Sequence, residues 1–557
     1  MSTIQELVQQ HSATLHEAVK ANTDRTFYAH WPEAPSGKIY GETANADGEA
    51  AFKQQLNAPF GRLVQTGPSV GDEVSPYGFP LGITYPTPDV PTLLARAEAA
   101  QAQWQDLSPE ERAAVLIEAL ERGSRSFFEI GYATMHTTGQ GFVMAFQASG
   151  PHAFDRALEA VAMGYAAQAS MPDHVMWTKP MGKINVSIDK TYRNVPKGLN
   201  LVIGCSTFPV WNTVPGMFAG LVTGNAVIVK PHPGAIYPIA IVVAAVQQTL
   251  KDAGLDADLV QLAADTTAAP ITKELLQAAR IIDYTGGSAF GDVVETAAAN
   301  NRAVMYSEKA GLNSVILDST NDLDAALDNL AFALSLYSGQ MCTAPQNIYI
   351  AKDGMIVNGE RISVDAVAAK LREKIDALVN NPKMGPSTLG AIQNPMTLER
   401  IAKVKELGGV ILCDSVPVAQ PGFDQARSVS PLLVRTQANG PLAEHLHTEW
   451  FGPIAFLIET EDWQQALDMV IAGIHETGAL TTLVHTTDEE KMQQAEDSIV
   501  DAGAPVAFNF TSFVWVNQSA AFSDFHGTGA NPAGTAAFAD WSFVTGRYNV
   551  IGVRKQA

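Results

Sequence analysis

The chain has 557 residues, of which 46% are hydrophobic and 17% charged, and its formal net charge is −22. This length exceeds what one hydrophobic core usually serves, so we expect at least two packed domains. So acidic a surface repels phosphodiester backbones and anionic membranes, which excludes nucleic acid and membranes as expected partners. Three cysteines without ligand-pair spacing predict neither a disulfide framework nor a metal site. With no visible secretory signal, we expect a cytoplasmic protein.

The N-terminal part of the chain changes character near residue 91. Residues 1–90 contain many glycines and prolines and few periodic segments, so they are predicted to be irregular. Helical spacing follows to about residue 170, and Ser108 with Glu111 forms the signature of a capping box. Residues 183–196 alternate like exposed β-structure.

From residue 199 onward, predicted strands and helices alternate with short loops, an order typical of parallel sheets. The uncharged stretch 198–229 is long enough to span a membrane, but its proline, glycine and asparagine residues favour a buried strand–loop–helix–strand. A later helix over 322–338 is predicted to be capped by Asn321 and ended by Gly339. The other predicted strands and helices are strands at 199–204, 225–231, 258–264, 281–287, 314–318 and 346–351, and helices at 213–222, 237–254 and 272–280.

Three short segments together resemble the aldehyde dehydrogenase superfamily in their order and spacing. They are 208–212 (FPVWN), 307–311 (SEKAG) and 338–343 (SGQMCT), and 449–453 (EWFGP) resembles the family's Glu-x-Phe-Gly-Pro motif. Each segment alone is weak evidence for the family; a lone cysteine, for example, is most often a buried apolar residue. The resemblance runs from Pro91 to Trp515 and implies an α/β, aldehyde dehydrogenase-like fold.

The resemblance also implies a domain plan: two doubly wound parallel-sheet domains and a small β oligomerisation arm. An NAD(P)-binding domain with an N-terminal extension would comprise 1–180 and 198–308, and a catalytic thiol domain would comprise 309–515. Residues 181–197 and 541–557 would form the arm. Family members usually pair through such arms, so we expect a homodimer or a dimer of dimers.

By the same resemblance, Cys342 would attack the aldehyde carbonyl as a thiolate accessible near neutral pH. The Asn212 amide and the Cys342 backbone N–H would donate to the resulting oxyanion, and one such donor is typically worth about 3 kcal/mol of barrier. After hydride transfer, Glu308 would act as general base on water, a task that suits a semi-buried carboxyl with a raised pKa.

The cofactor residues follow from a second group of resemblances. Residues 285–291 (TGGSAFG) resemble the family's Thr-Gly-Ser-x-x-x-Gly turn, with Gly287 at the serine position. This turn would place glycines and a helix N-terminus against the pyrophosphate. The residues expected at the cofactor are Trp211, Lys230, Gly286, Gly287, Ser288, Gly291, Glu449 and Phe451, with Glu449 on the nicotinamide ribose and Phe451 beside the nicotinamide.

Cofactor choice depends on a departure from the family pattern. Pro233 stands where NAD-using members often have a glutamate that binds the ribose hydroxyls. Without that carboxylate, repulsion of a 2′-phosphate disappears and Lys230 attracts it. The sequence therefore predicts NADP as the preferred cofactor, with NAD as the alternative.

The remaining histidines and cysteines are interpreted as structural. Cys205 and Cys413 lie in apolar strand contexts, which favours core positions. His526 lies in the glycine-rich segment 522–534, at the place of the family's substrate-side loop, and a structural or surface role is favoured for it. The usual Pro-Phe-Gly-Gly signature is missing there.

This altered tail and the long N-terminal extension resemble the phenylacetate-degradation (PaaN-type) aldehyde dehydrogenases. The resemblance implies a small-molecule semialdehyde substrate from aromatic-ring catabolism, free or CoA-linked. Glu308 favours hydrolysis to a free acid, because CoA-acylating members generally lack it. A CoA-acylating dehydrogenase and a catalytically silent nucleotide-binding scaffold are the alternative hypotheses.

Overall fold

The computed structural model describes residues 3–309, 311–512, 514, 521–538 and 540–557. Ala310 of the 307–311 motif and Trp515, the predicted end of the catalytic domain, lie outside these residues. The predicted α/β class with parallel sheets is confirmed. Within the described residues, no helix is long and apolar enough to cross a membrane.

The first ninety residues contain regular helices, so the prediction of an irregular region was wrong. The first helix begins with a capping box between Thr3 and Glu6, and its Leu7 and Leu15 pack in the main core. Its buried face also holds His11, which dilutes the apolar spacing that a sequence search depends on. The elements of this region are α1 (Ile4–Asp24), α2 (Gly37–Tyr40), α3 (Ala44–Gln55), β1 (Ser69–Val70) and β2 (Tyr85–Pro86).

Five further helices share one hydrophobic core with the first sheet. The predicted capping box is present, since Ser108 Oγ accepts from the Glu111 N–H and the Glu111 carboxylate accepts from the Ser108 N–H. These helices are α4 (Val90–Trp104), α5 (Pro109–Ser124), α6 (Phe127–Thr138), α7 (Phe142–Ser149) and α8 (Pro151–Ala169).

The next elements are two long strands and a five-stranded parallel sheet. They are β3 (His174–Met181), β4 (Ile184–Pro196), β5 (Asn200–Ile203), α9 (Val214–Val222), β6 (Val227–Lys230), α10 (Tyr237–Asp252), β7 (Val260–Leu262), α11 (Thr272–Ala278), β8 (Ile281–Gly286), α12 (Ser288–Asn301) and β9 (Val304–Lys309). The parallel sheet has the order β7-β6-β5-β8-β9. The chain reverses direction across the sheet between β5 and β8, and doubly wound sheets bind ligands at the carboxyl ends of strands at such a point.

A second α/β unit follows, built on a seven-stranded sheet. Its first long helix is capped by Asp322, which accepts from the Ala325 N–H, and ends at Ser335. The predicted cap at Asn321 and end at Gly339 were therefore wrong. The elements are β10 (Asn313–Leu317), β11 (Ser319–Thr320), α13 (Leu323–Ser335), β12 (Pro345–Ala351), β13 (Met355–Val357), β14 (Glu360–Ile362), α14 (Val364–Val379), α15 (Met384–Leu389), α16 (Met396–Glu406), β15 (Val410–Cys413), β16 (Leu432–Gln437), β17 (Ile454–Thr460), α17 (Trp463–Glu476), β18 (Thr482–His485), α18 (Glu489–Asp501) and β19 (Ala507–Phe508). The seven-stranded sheet has the order β15-β16-β17-β12-β10-β18-β19, in which the β15–β16 pair is antiparallel.

The tail closes the structure with α19 (Trp541–Thr545) and β20 (Tyr548–Gln556). β20 pairs with β4, and β4 with β3, in an antiparallel sheet of the order β20-β4-β3. The fully buried Arg547 fixes this arm to the first sheet through Asp283, with an Nη2–Oδ1 distance of 2.6 Å. The arm keeps several large apolar side chains exposed: Met176, Trp177, Met181, Ile184, Val550, Ile551 and Val553.

Candidate active site

Two cavities of about 510 and 570 Å³ meet at Cys342. Phe208, Asn212 and Cys342 line both of them. The larger cavity lies at the carboxyl ends of the first sheet's strands and includes Glu308, and the smaller one includes His526. Both volumes suit organic ligands. Two molecules, one in each cavity, can therefore approach the same sulfur atom.

The backbone before Cys342 makes an unusual turn. Tyr337, Ser338 and Gly339 have φ values of 51°, 49° and 61°, three consecutive residues in the left-handed region. This conformation costs about 1–2 kcal/mol for each non-glycine residue, and hydrogen bonds hold it: Tyr337 Oη donates to the Thr138 carbonyl at 2.6 Å, and Ser338 Oγ donates to the Leu389 carbonyl at 3.0 Å. The turn replaces the predicted helix end and directs the chain to Cys342.

The Cys342 side chain is half-buried, and its backbone is fixed by the amide of Asn313, which donates to the Cys342 carbonyl at 2.8 Å. Burial, followed by the negative charge of Glu308, raises the pKa of the Cys342 thiol well above its ordinary value. These surroundings disfavour the thiolate, contrary to the expectation that it forms readily near neutral pH. A positive group is needed to stabilise the anion.

Glu308 lies near the end of β9 with 6% of its surface exposed. The tail packs against this strand through Gly534, where a Cβ atom would lie 2.3 Å from the Ser307 carbonyl oxygen, so that only glycine fits. Glu308 Oε2 accepts from Asn212 Nδ2 at 3.2 Å, which brings the predicted oxyanion donor and base together. The Glu308 carboxylate, the Cys342 sulfur and the His526 ring nitrogen lie within 4.8 Å of one another.

The protonation of Glu308 differs from the prediction. Burial, the largest single effect, raises its pKa, but the charge and hydrogen bond of His526, the hydrogen bond of Cys342 and the charge of Arg156 together hold the pKa below its ordinary value. The carboxylate is therefore ionised at neutral pH, and the predicted raised pKa was wrong. An ionised Glu308 is ready to accept a proton.

His526 belongs to the site, which corrects the preference for a structural or surface role. Its Nε2 lies 2.9 Å from Glu308 Oε1 and 3.8 Å from Cys342 Sγ. The residue is 8% exposed, and its ring packs edge-on against Trp211 at 4.7 Å and stacks on Phe538 at 5.7 Å between ring centres. The sequence offered one signal for it, a histidine in place of the family's usual loop signature.

The predicted cofactor residues line the larger cavity in part. Gly286 and Gly287 precede the N-terminus of α12, and no atom would lie within 4 Å of a Cβ atom at Gly287, which leaves room for a phosphate. Glu449 and Phe451 line the same cavity, and burial raises the pKa of Glu449 to about 7. These groups fit a dinucleotide, with glycines and a helix N-terminus at one part and a carboxylate at another.

Lys230 also lines this cavity, but it is not a free cation. Its Nζ lies 2.7 Å from Asp265 Oδ1, and both side chains are almost completely buried. Asp265 follows β7 and also accepts from the Ile271 N–H at 3.0 Å. A carboxylate therefore still lines the cavity that contains Pro233, although Pro233 replaces the glutamate that binds the ribose hydroxyls in NAD-using members of the family.

Four other predictions have different outcomes. Trp211, expected at the cofactor, lines the smaller cavity beside His526. Ser288 and Gly291, also expected at the cofactor, belong to the first turn of α12 but are not among the residues that line the larger cavity, and Gly291 packs against the Lys309 side chain. Cys205, expected in the core, is half-buried, lines the larger cavity and lies 3.6 Å from Asn212 Oδ1.

Comparison with known proteins identifies the family. Residues 85–539 match the aldehyde dehydrogenase family. The chain is 28% identical over 279 residues to the dimeric, NADP-preferring aldehyde dehydrogenase of Mus musculus, a match that covers 49% of this chain and about half, 56%, of the mouse protein. It is 26% identical to 1-pyrroline-5-carboxylate dehydrogenase 1 of Halalkalibacterium halodurans, over 72% of this chain and 74% of that protein.

Solved structures agree on the fold. An NAD-dependent aldehyde dehydrogenase from Burkholderia multivorans superposes with a TM-score of 0.96 at 44% identity, covering 99% of both chains. A 1-pyrroline-5-carboxylate dehydrogenase from Thermus with bound NAD superposes with a TM-score of 0.75 at 18% identity, covering 96% of this chain and 99% of that one. The chain belongs to the aldehyde dehydrogenase family.

Proposed function

We propose that this protein oxidises an aldehyde to a carboxylic acid with NAD(P)⁺, using Cys342 as the nucleophile. The observation that carries the proposal is the meeting of two cavities at Cys342, with Asn212 shared by both and Glu308 beside the sulfur. An aldehyde in the smaller cavity and a nicotinamide in the larger one would face the same atom. This arrangement suits the transfer of a hydride from the bound aldehyde to the bound nicotinamide.

The residues divide the reaction into two stages. The Cys342 thiolate adds to the carbonyl carbon, and the second amide hydrogen of Asn212, whose first contacts Glu308, donates to the oxyanion that forms. A bound nicotinamide supplies the hydride acceptor. The ionised Glu308 then takes a proton from water, which hydrolyses the Cys342 thioester and releases the acid.

The smaller cavity favours an uncharged, apolar or aromatic aldehyde. Its described lining includes the aromatic residues Phe208, Trp211, Phe510 and Phe525, but neither lysine nor arginine. Its acidic groups include Glu33, paired with His152 at 3.0 Å, and Asp524. A substrate carboxylate or CoA phosphate would therefore find no lysine or arginine on these walls, and the two histidines there, His152 and His526, each already face a glutamate.

A ring-opened semialdehyde of phenylacetate degradation is the second candidate substrate. It is favoured by the resemblance of the extended N-terminus and tail to the phenylacetate-degradation subgroup. The CoA-linked form is the less favoured of the two forms because of the acidic cavity.

A panel of aldehydes tests the reaction and the substrate class. We expect stoichiometric formation of acid and reduced cofactor without added CoA, with higher kcat/KM for phenylacetaldehyde and hexanal than for succinic semialdehyde. Acid and acyl-CoA are quantified by mass spectrometry. Formation of acyl-CoA only when CoA is added would contradict hydrolysis, and a preference for succinic semialdehyde would contradict the apolar substrate class.

Cofactor preference provides a second test. We propose NADP preference from the sequence, with Asp265 as the group that limits it, because its carboxylate repels a 2′-phosphate and neutralises Lys230. Asp265→Asn should therefore raise the ratio of kcat/KM for NADP to that for NAD, by roughly tenfold for a change of about 1.4 kcal/mol. A clear NAD preference of the unmodified protein would refute the first claim, and an unchanged ratio in Asp265→Asn would refute the second.

We also propose a homodimer or a dimer of dimers formed through the β20-β4-β3 arm, in the cytoplasm. The exposed apolar side chains of the arm support the assembly, because a second copy would remove them from water. Light scattering should give the mass of a dimer or tetramer, and a monomer mass would contradict the proposal. The three free cysteines suit a reducing compartment.

A further inference from the structure

We propose that His526 is a catalytic residue that accepts the proton of the Cys342 thiol and holds the sulfur as a thiolate–imidazolium pair, with Glu308 stabilising the imidazolium. This inference rests on the proposed role of Cys342 as the nucleophile. Its basis is that a single ring nitrogen, Nε2, faces both the sulfur at 3.8 Å and the carboxylate at 2.9 Å.

The proton transfer balances without another reactant. The S–H bond of Cys342 breaks, its electron pair stays on sulfur, and the proton bonds to Nε2 of the neutral His526 ring, whose own hydrogen is on Nδ1. The imidazolium then donates from Nε2 to Glu308 Oε1. The total charge of the three groups is unchanged, and one cation now lies between two anions, which favours the separated charges in a buried site.

The imidazolium would supply the positive charge that the Cys342 thiolate lacks in its surroundings. Burial and the Glu308 carboxylate both raise the pKa of the Cys342 thiol, so the sulfur needs a nearby cation to ionise. The further titratable groups around the cluster are Arg156, Glu159 and Asp524, the half-buried Cys205, and the Glu33–His152 pair. Arg156 is held by Glu159 at 2.8 Å and by the Asp524 carbonyl at 3.2 Å, so its charge is already balanced.

The N-terminal region holds the loop that carries His526. Arg25 Nη1 donates to the Phe522 carbonyl at 3.3 Å, its guanidinium lies 4.3 Å from the centre of the Phe525 ring, and the Tyr28 ring packs edge-on against Phe522 at 4.9 Å. From the other side, Glu159 Oε1 accepts from the Phe522 N–H at 2.9 Å. Contacts on both sides of the loop fix His526 in place, as proton transfer requires.

The pH dependence of Cys342 alkylation tests the pair without any aldehyde or cofactor. Iodoacetamide is an uncharged reagent, and the rate of modification of the Cys342 peptide is followed by mass spectrometry between pH 5 and pH 10. The unmodified protein should show a reactive plateau that extends below pH 8. His526→Gln, which can still donate a hydrogen bond to Glu308 but cannot accept the thiol proton, should react at least tenfold more slowly at pH 7.

His30→Gln is the matched control, because His30 also contacts a carboxylate, that of Glu121 at 2.7 Å, but lines neither cavity. Its alkylation profile should match that of the unmodified protein. An unchanged profile in His526→Gln would overturn the proposal. If that variant does not fold, the unmodified protein still decides, because a reactivity midpoint above pH 9 would exclude a thiolate pair.

The experiment separates the two proposals. Low-pH reactivity that depends on His526, without aldehyde oxidation, would support the pair and contradict the proposed function. Aldehyde oxidation with unchanged alkylation in His526→Gln would do the reverse. In an active protein, kcat/KM of His526→Gln should recover at high pH, because hydroxide then removes the thiol proton, whereas a merely structural role would lower it at every pH.

Discussion

Replacing Cys342 with serine is expected to lower kcat by roughly 10⁴-fold or more while cofactor binding is retained. The hydroxyl group is a far weaker acid than the thiol, so the attacking anion is rarely present, and an ester also gives up its acyl group less readily than a thioester. The larger cavity keeps its glycines and its Glu449 in this variant, so the binding site for the cofactor is unchanged.

The measurement pairs steady-state rates with cofactor titration by tryptophan fluorescence. Cys413→Ser is the matched control, since Cys413 is buried at the edge of the second domain's core, lines neither cavity and undergoes the same chemical change. It should keep turnover within a few-fold. Full activity in Cys342→Ser would reject the assigned nucleophile, and loss of cofactor binding would show that the serine disturbs more than the reaction.

Local sequence signals predicted the elements that depend on local contacts. The capping box at Ser108 and Glu111 was recognised because its two partners are three residues apart and bond each other. α1 has the same device at Thr3 and Glu6 but was missed, because its inner face includes His11, which is buried against Glu118 at 2.9 Å. That burial depends on a distant helix, which local periodicity does not show.

The three residues proposed for catalysis were predicted from motif resemblance, and the structure brings Asn212, Glu308 and Cys342 together. His526 was not predicted because its partner Glu308 lies 218 residues away along the chain, on an edge strand that the tail packs against. The pairing of Lys230 with Asp265 was missed for the same reason, since it joins the ends of two adjacent strands, β6 and β7. The protonation states of side chains were the least predictable property, because they depend on partners that are distant in sequence, as in these two pairs.

Replacing Glu308 with glutamine is expected to separate the two stages of the reaction. The variant should release reduced cofactor in a rapid burst, stoichiometric with active sites, and then turn over roughly 10²–10⁴-fold more slowly, because water attacks the thioester without a base. Glutamine preserves the shape of the side chain and its contact with Asn212. Rapid mixing gives the burst, and mass spectrometry of the quenched protein should find the acyl group on Cys342.

The pH dependence of the slow stage follows from the charge of Glu308. Its pKa lies below the ordinary value of 4.5, because His526, with smaller contributions from Cys342 and Arg156, outweighs the effect of burial, so the base is lost only as pH falls below that value. Thioester hydrolysis in the unmodified protein, measured by single turnover, should therefore stay level from pH 8 to pH 5.5. A steep fall between pH 7 and pH 6 would show that Glu308 is protonated there and that His526 does not hold it ionised. A burst in Glu308→Gln that CoA, but not water, discharges rapidly would instead indicate a site adapted to a thiol acceptor.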